Sequence, residues 1–200
     1  MDLARLPRPT WRLWRAPLAL ASLMVVLQAS GQVEALRYER AAVLDGELWR
    51  LVTGHLVHAD AAHLAWNLAG LALVAWLFGP DFGRRAWLGI LVASTAAVDL
   101  GFLVLAPALA WYVGFSGVLH GLMAAGLLRW LARERDWITA VVATCFVAKI
   151  AWEQAVGPLP FTAQTLAVPV VFEAHTYGAV GGVLAAAAWL GRRAPRAASL

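Results

Sequence analysis

Six apolar stretches dominate this chain: Ala16–Val33, Ala61–Phe78, Ala86–Ala106, Ser116–Leu131, Trp137–Glu153 and Ala174–Gly191. A helix needs about 20 mostly apolar residues to cross a bilayer, and each stretch is near that length. Soluble domains are about a quarter charged. Here 14 % of residues are charged, 62 % are hydrophobic and the mean hydropathy is +0.69. So much apolar surface exceeds what one buried core can hold, and the surplus must face lipid. The expected fold class is all-α: a single six-helix membrane domain over 16–191, with a basic tail at 1–15 and a short basic tail at 192–200. The first stretch has a long basic flank and no small-residue cleavage site after it. It is expected to remain as the first helix rather than leave as a signal peptide.

The net charge of +4 invites a nucleic-acid partner, but its distribution argues against one. Arg5, Arg8, Arg12 and Arg15 precede the first stretch. Arg84 and Arg85 follow the second; Arg129, Arg133 and Arg135 follow the fourth; Arg192, Arg193 and Arg196 follow the last. These all fall on one side of a six-helix topology. Arg37, Arg40, Arg50 and Lys149 fall on the other. Basic residues concentrate on the cytoplasmic side, so both termini are expected there. The one cysteine, Cys145, lies inside the fifth stretch and reads as a small packing residue.

Two outer segments are too long for plain connectors. Glu34–Asp60 carries GELWR and is expected to pack on the membrane surface. Gln154–Glu173 carries Pro158, Pro160 and Pro169, so it should be irregular and is a candidate lid.

Polar groups inside a bilayer are costly and need a partner or a task. Ser116 sits in YVGFSGVLHGL at the start of the fourth stretch. A helix N-terminus offers free N–H groups and a dipole that favours an anion, as a developing oxyanion requires. The same residues also read as a capped helix start with packing glycines. His175 opens the sixth stretch in HTYGAVGG, with Gly178 and Gly182 on its helical face. Those glycines let another helix approach. If that helix is the fourth, the imidazole meets Ser116 and can take its proton. His63 and Asn67, spaced i,i+4 on the second stretch, are candidate paired donors for an oxyanion, or a polar pair bonded to a neighbour. Asp99 and Lys149 each lie toward an outer helix end, as an ion pair or as separate snorkelling charges.

Together these pieces resemble the rhomboid family of intramembrane serine proteases. GELWR, with Trp49 and Arg50, is similar to the family's Trp-Arg loop motif. His63 and Asn67 match its H-x-x-x-N element, and His58 falls on a usual histidine position. GFSG at Gly114–Gly117 matches G-x-S-G. His175, Gly178 and Gly182 match H-x-x-G-x-x-x-G. The resemblance implies Ser116 as nucleophile and His175 as general base, a dyad with no carboxylate. It also implies His63, Asn67 and the Ser116 N–H as oxyanion donors, and no cofactor or metal. Four residues after the serine, where Tyr or Phe is common in the family, stands His120. It faces the same cleft, able to stack on His175 or to replace the aromatic isosterically.

SGVLHG resembles the rhombosortase branch. That implies membrane-anchored substrates of Gram-negative bacteria with a C-terminal Gly-Gly motif, a transmembrane helix and a basic tail. The implied location is the bacterial inner membrane, with the active site opening to the periplasmic side and the lipid bilayer as its other partner. Three other classes compete. A rhomboid-like protein that binds clients without cutting would usually lack the serine or histidine. A metalloprotein could use His55, His58, His63 and His120, but H-E-x-x-H is absent. A transporter should show broken, repeated helices, which the sequence lacks.

Overall fold

The computed structural model describes residues 11–134, 136–160 and 168–193. Most of both basic tails, Arg135 and part of the expected lid segment lie outside the described residues.

Six long helices occupy the six apolar stretches. They are α1 (Trp11–Ala29), α5 (Ala61–Phe78), α6 (Arg84–Val104), α7 (Ser116–Arg133), α8 (Trp137–Val156) and α9 (Glu173–Arg193). Helix α1 already starts inside the expected tail. Three spans, Ala61–Asp81, Arg84–Val104 and Trp137–Val156, are long and apolar enough to cross a membrane by composition. Helices α7 and α9 are less apolar because they carry Ser116, His120, Glu173 and His175, together with several glycines. Their surroundings permit it. Much of α7 is buried, from Gly117 to Trp130, against α5, α6, α8 and α9. An internal helix is shielded from lipid and need not be apolar throughout. The outward faces do the opposite: Leu88, Val92, Leu100, Val141, Val147, Trp152 and Leu184 are all exposed.

The closest packing in the bundle joins α9 to α7. A Cβ on Gly178 would strike the Gly117 carbonyl, and one on Gly182 would strike the Gly121 carbonyl. The two helices therefore meet backbone to backbone over one full turn, as small residues at four-residue spacing allow. Below this contact, Phe78 and Trp130 rings meet at 4.5 Å within the main apolar cluster. At the end of the bundle away from Ser116, Asp81 accepts from Trp130 Nε1 and from Arg133, each at 2.7 Å.

The long outer segment is ordered. It holds the short helices α2 (Val33–Leu36), α3 (Arg40–Leu44) and α4 (Arg50–Thr53), and the strand β1 (Tyr38–Glu39). β1 pairs antiparallel with β2 (Trp111–Tyr112), with Tyr38 opposite Tyr112. Arg40 donates to the carbonyls of Phe102 (2.9 Å) and Leu103 (3.2 Å), so a cation closes the C-terminal end of α6. Arg50 donates to the Glu34 and Arg37 carbonyls and to the Glu47 carboxylate. Trp49 is half exposed, with its indole N–H 3.5 Å from the Ala35 carbonyl. Trp49 and Arg50 thus fold this segment, and among the described residues their side-chain hydrogen bonds stay within it.

Candidate active site

Ser116 is the first residue of α7, after Phe115 as N-cap. Its N–H is one of the orphan donors of a helix start. The chain reaches it through Gly114, whose φ of +114° suits glycine. A Cβ there would also lie 2.6 Å from the His63 ring. The turn is pinned twice: Gly114 N donates to Gly54 O at 3.0 Å, and the Tyr112 hydroxyl donates to Gly114 O at 2.7 Å. Burial pushes the Tyr112 phenol up to about 12, so it stays a donor.

His175 lies in the first turn of α9. The close α7–α9 approach brings its Nε2 to 3.1 Å from Ser116 Oγ. His175 is buried and Ser116 half-buried. A Cβ on Gly117, Gly178 or Gly182 would strike the facing helix, so these glycines set how closely α7 and α9 approach.

The resemblance implies a dyad with no carboxylate, yet a carboxylate lies beside His175. Glu153 Oε2 accepts from His175 Nδ1 at 2.9 Å, and Glu153 is 1 % exposed. Lys149, one turn earlier on α8, donates to the same oxygen at 2.6 Å. Of the two readings left open for Asp99 and Lys149, the ion pair is absent. Asp99 lies 3.2 Å from His55 Nε2, and each charge has a nearer partner than the other. Glu153 was missed because it ends an apolar stretch and reads there as a helix terminus. The available signal was Lys149 and Glu153 at i,i+4, both on one face and pointing the same way.

His120 is stacked on His175, with ring centroids 4.0 Å apart at 16°. Its Nδ1 lies 2.7 Å from the Ser116 carbonyl and its Nε2 lies 2.6 Å from Lys149 Nζ. The ligand-type atoms of His120, Glu153 and His175 all lie within 4.8 Å of one another, and the Lys149 ammonium is in reach of all three. Of the four histidines considered for a metal, His120 belongs to this cluster, whereas His55, His58 and His63 are arranged differently. His55 is engaged with Asp99, and His58 meets only the edge of His63, 5.0 Å away.

His63 and Asn67 are buried on α5 and face Ser116 across a cavity of about 720 Å³. Asn67 gives one amide N–H to the His63 carbonyl at 2.9 Å, which leaves the second for a guest. The cavity follows α7 from Ser116 to Leu127, a run of about 16 Å at helical rise. Its side walls are Trp66 and Leu73 of α5 and Val142, Cys145 and Phe146 of α8. Val168, Pro169, Val170 and Val171 also line it, in a stretch without regular secondary structure.

Residues 45–192 match the Rhomboid domain family. Over 92 residues the chain is 33 % identical to the putative rhomboid protease YdcA of Bacillus subtilis (strain 168). That alignment covers 46 % of this chain and 46 % of the relative, so the chain spans about half the length of the curated relative it matches.

Proposed function

Because this chain belongs to the rhomboid family, we propose that it is an intramembrane serine protease with Ser116 as nucleophile and His175 as general base. One observation carries the reading: Ser116 Oγ and His175 Nε2 lie 3.1 Å apart at the head of a largely apolar cavity.

The chemistry follows from the positions. His175 Nε2 takes the Ser116 hydroxyl proton as Oγ attacks a peptide carbonyl carbon. The resulting oxyanion lies near the Ser116 N–H, the free Asn67 N–H and the His63 ring. In a soluble protease one such donor is worth about 3 kcal/mol. His175 then gives the proton to the leaving amine, and the C–N bond breaks. Water, activated by the same imidazole, releases the acyl group from Ser116.

The substrate is a membrane protein that reaches the site sideways. Trp66 and Leu73 of α5 and Val142 of α8 wall the cavity and keep 40–50 % of their surface exposed. A transmembrane segment can therefore pass between α5 and α8 without crossing bulk water. The resemblance of SGVLHG to the rhombosortase branch narrows the class to secreted proteins with a C-terminal Gly-Gly motif, a transmembrane helix and a basic tail. All six long helices span the membrane in this reading. The basic ends lie in the cytoplasm and the site opens to the periplasm of a bacterial inner membrane.

The test is labelling by a fluorophosphonate, whose phosphorus takes the serine oxygen and loses fluoride. Labelling of the native chain that is abolished by both Ser116→Ala and His175→Ala supports the protease. A folded native chain that stays unlabelled beside a labelled rhomboid protease supports a client-binding relative that does not cut.

A further inference from the structure

The geometry points to Glu153 as the positioning residue of His175, held ionised by Lys149, with Lys149 and His120 closing a ring of hydrogen bonds that begins and ends on Ser116. The inference rests on the proposed protease reading and deepens it.

Donor and acceptor chemistry fixes the direction of every bond in this ring. A carbonyl only accepts, so His120 Nδ1 must carry the proton that meets the Ser116 carbonyl at 2.7 Å. His120 Nε2 is then bare and accepts from the Lys149 ammonium at 2.6 Å. The same ammonium donates to Glu153 at 2.6 Å. An ionised carboxylate only accepts, so His175 Nδ1 must carry the proton that meets Glu153 at 2.9 Å. This leaves His175 Nε2 bare, facing the Ser116 hydroxyl at 3.1 Å. That is the tautomer a general base needs, and the partner of the other ring nitrogen sets it.

Lys149 makes the carboxylate necessary. Its ammonium also lies 3.1 Å from His175 Nδ1. With Glu153 in place both are donors, and no hydrogen bond joins them. With Glu153 neutralised, Lys149 can donate to Nδ1, which drives the imidazole proton to Nε2. A protonated Nε2 cannot take the serine proton. Glu153 therefore draws the proton to Nδ1 and holds the ammonium off that nitrogen. In the reaction His175 gains its second proton at Nε2 while Glu153 stays ionised beside the imidazolium. No proton passes to the carboxylate.

A buried carboxylate alone on α8 would be strongly unfavourable. Lys149 and His175 both compensate it, which is why a charge can sit 1 % exposed at the end of an apolar helix.

The test measures fluorophosphonate inactivation kinetics of the purified full chain, together with imidazole nitrogen shifts. Glu153→Gln should keep the probe's binding constant and lower the inactivation rate constant at least tenfold. Adding Lys149→Met to Glu153→Gln should restore part of the rate, at least threefold, because the competing donor is gone. Glu153→Asp should fall between native and Glu153→Gln. With five histidines in the chain, ¹⁵N-histidine labelling can resolve His175. It should be protonated at Nδ1 in the native chain and at Nε2 in Glu153→Gln. Native-rate inactivation by Glu153→Gln, or a double variant no faster than the single, overturns the positioning role. The nitrogen shifts decide the same question without activity. If the native chain does not label, the protease reading fails, and the His175 tautomer still confirms or refutes the Glu153 arrangement. A Glu153→Gln chain that does not fold leaves Glu153→Asp and the native tautomer to decide.

Discussion

His120 and His175 lie face to face, 4.0 Å apart and 16° from parallel, one turn below Ser116. The stack restrains the His175 ring on one face while Glu153 holds its edge. His120 does more than fill the place of an aromatic residue, because both of its nitrogens are engaged. His120→Phe should keep the stack and lose both hydrogen bonds, lowering the labelling rate about three- to tenfold with the fold intact. His120→Ala loses the stack as well and should fall further, with destabilisation of about 2–4 kcal/mol from the cavity it leaves. Labelling kinetics and thermal unfolding in detergent separate the two effects.

The backbone contact between Gly178 and Gly117 makes a sharp stability prediction. Gly178→Ala places a methyl against a carbonyl that belongs to another helix and cannot move alone. Overpacking of this kind costs about 1–3 kcal/mol or more. It should also separate Ser116 from His175, so labelling is lost together with stability. Gly89→Ala is the matched control: it lies on an exposed face of α6, with nothing within 4 Å of the new methyl. It should be neutral or stabilising, by up to about 1 kcal/mol, because alanine favours helix over glycine. Thermal melts of the two variants check both signs.

The sequence made the long helices legible because lipid-facing helices must be apolar and basic loops must interrupt them. Ser116 and His175 stand out in the sequence because each lies in the first turn of a helix, and Gly178 and Gly182 because their spacing puts them on the His175 face. Glu153 and the destination of Lys149 were not legible. Both lie on α8, whose position relative to α9 is set by packing and has no local signature. Asp99 shows the same limit. Its place toward the outer end of α6 allowed Lys149 as a partner, but His55 arrives from a segment that folds back over α6. The order in that outer segment was hidden for a related reason. The sequence assigns Arg40 and Arg50 a side of the membrane, and Arg50 a loop motif, but not their carbonyl partners, which are distant in sequence or brought near by short helices.

Acid should weaken the fold through His58. This residue precedes α5, outside the spanning segments, and is 0 % exposed. Burial first, and then the neighbouring His63, lowers it from 6.5 to about 3. The unfolded chain therefore binds a proton that the folded chain refuses between those values. Unfolding takes up protons in that window, so stability rises with pH across it. The contribution is complete above pH 6.5 and is lost as pH falls toward 3. His58→Phe removes the titrating group. The backbone clamp of Gln28 to His58 N and O stays available to it. Melting temperature measured from pH 7 to pH 4 should fall less steeply for His58→Phe than for the native chain. Equal slopes would assign the acid sensitivity to another group.

Lys149 occupies the position a metal ion would take among His120, Glu153 and His175, whose ligand atoms lie within 4.8 Å of one another. Two imidazoles and a carboxylate are a zinc-type donor set. In the native chain the ammonium is bonded to two members of that set, His120 and Glu153, and a divalent cation would have to displace it. Lys149→Ala removes the resident cation and leaves the carboxylate uncompensated. The variant should therefore bind Zn²⁺ where the native chain does not. A metal on His175 Nδ1 would keep that ring from moving and place positive charge beside the developing imidazolium. Added Zn²⁺ should then suppress fluorophosphonate labelling of Lys149→Ala at least tenfold, with recovery on chelation, at a concentration that leaves the native chain unaffected. Equal zinc sensitivity in the two proteins would show that the ammonium does not guard the donor set.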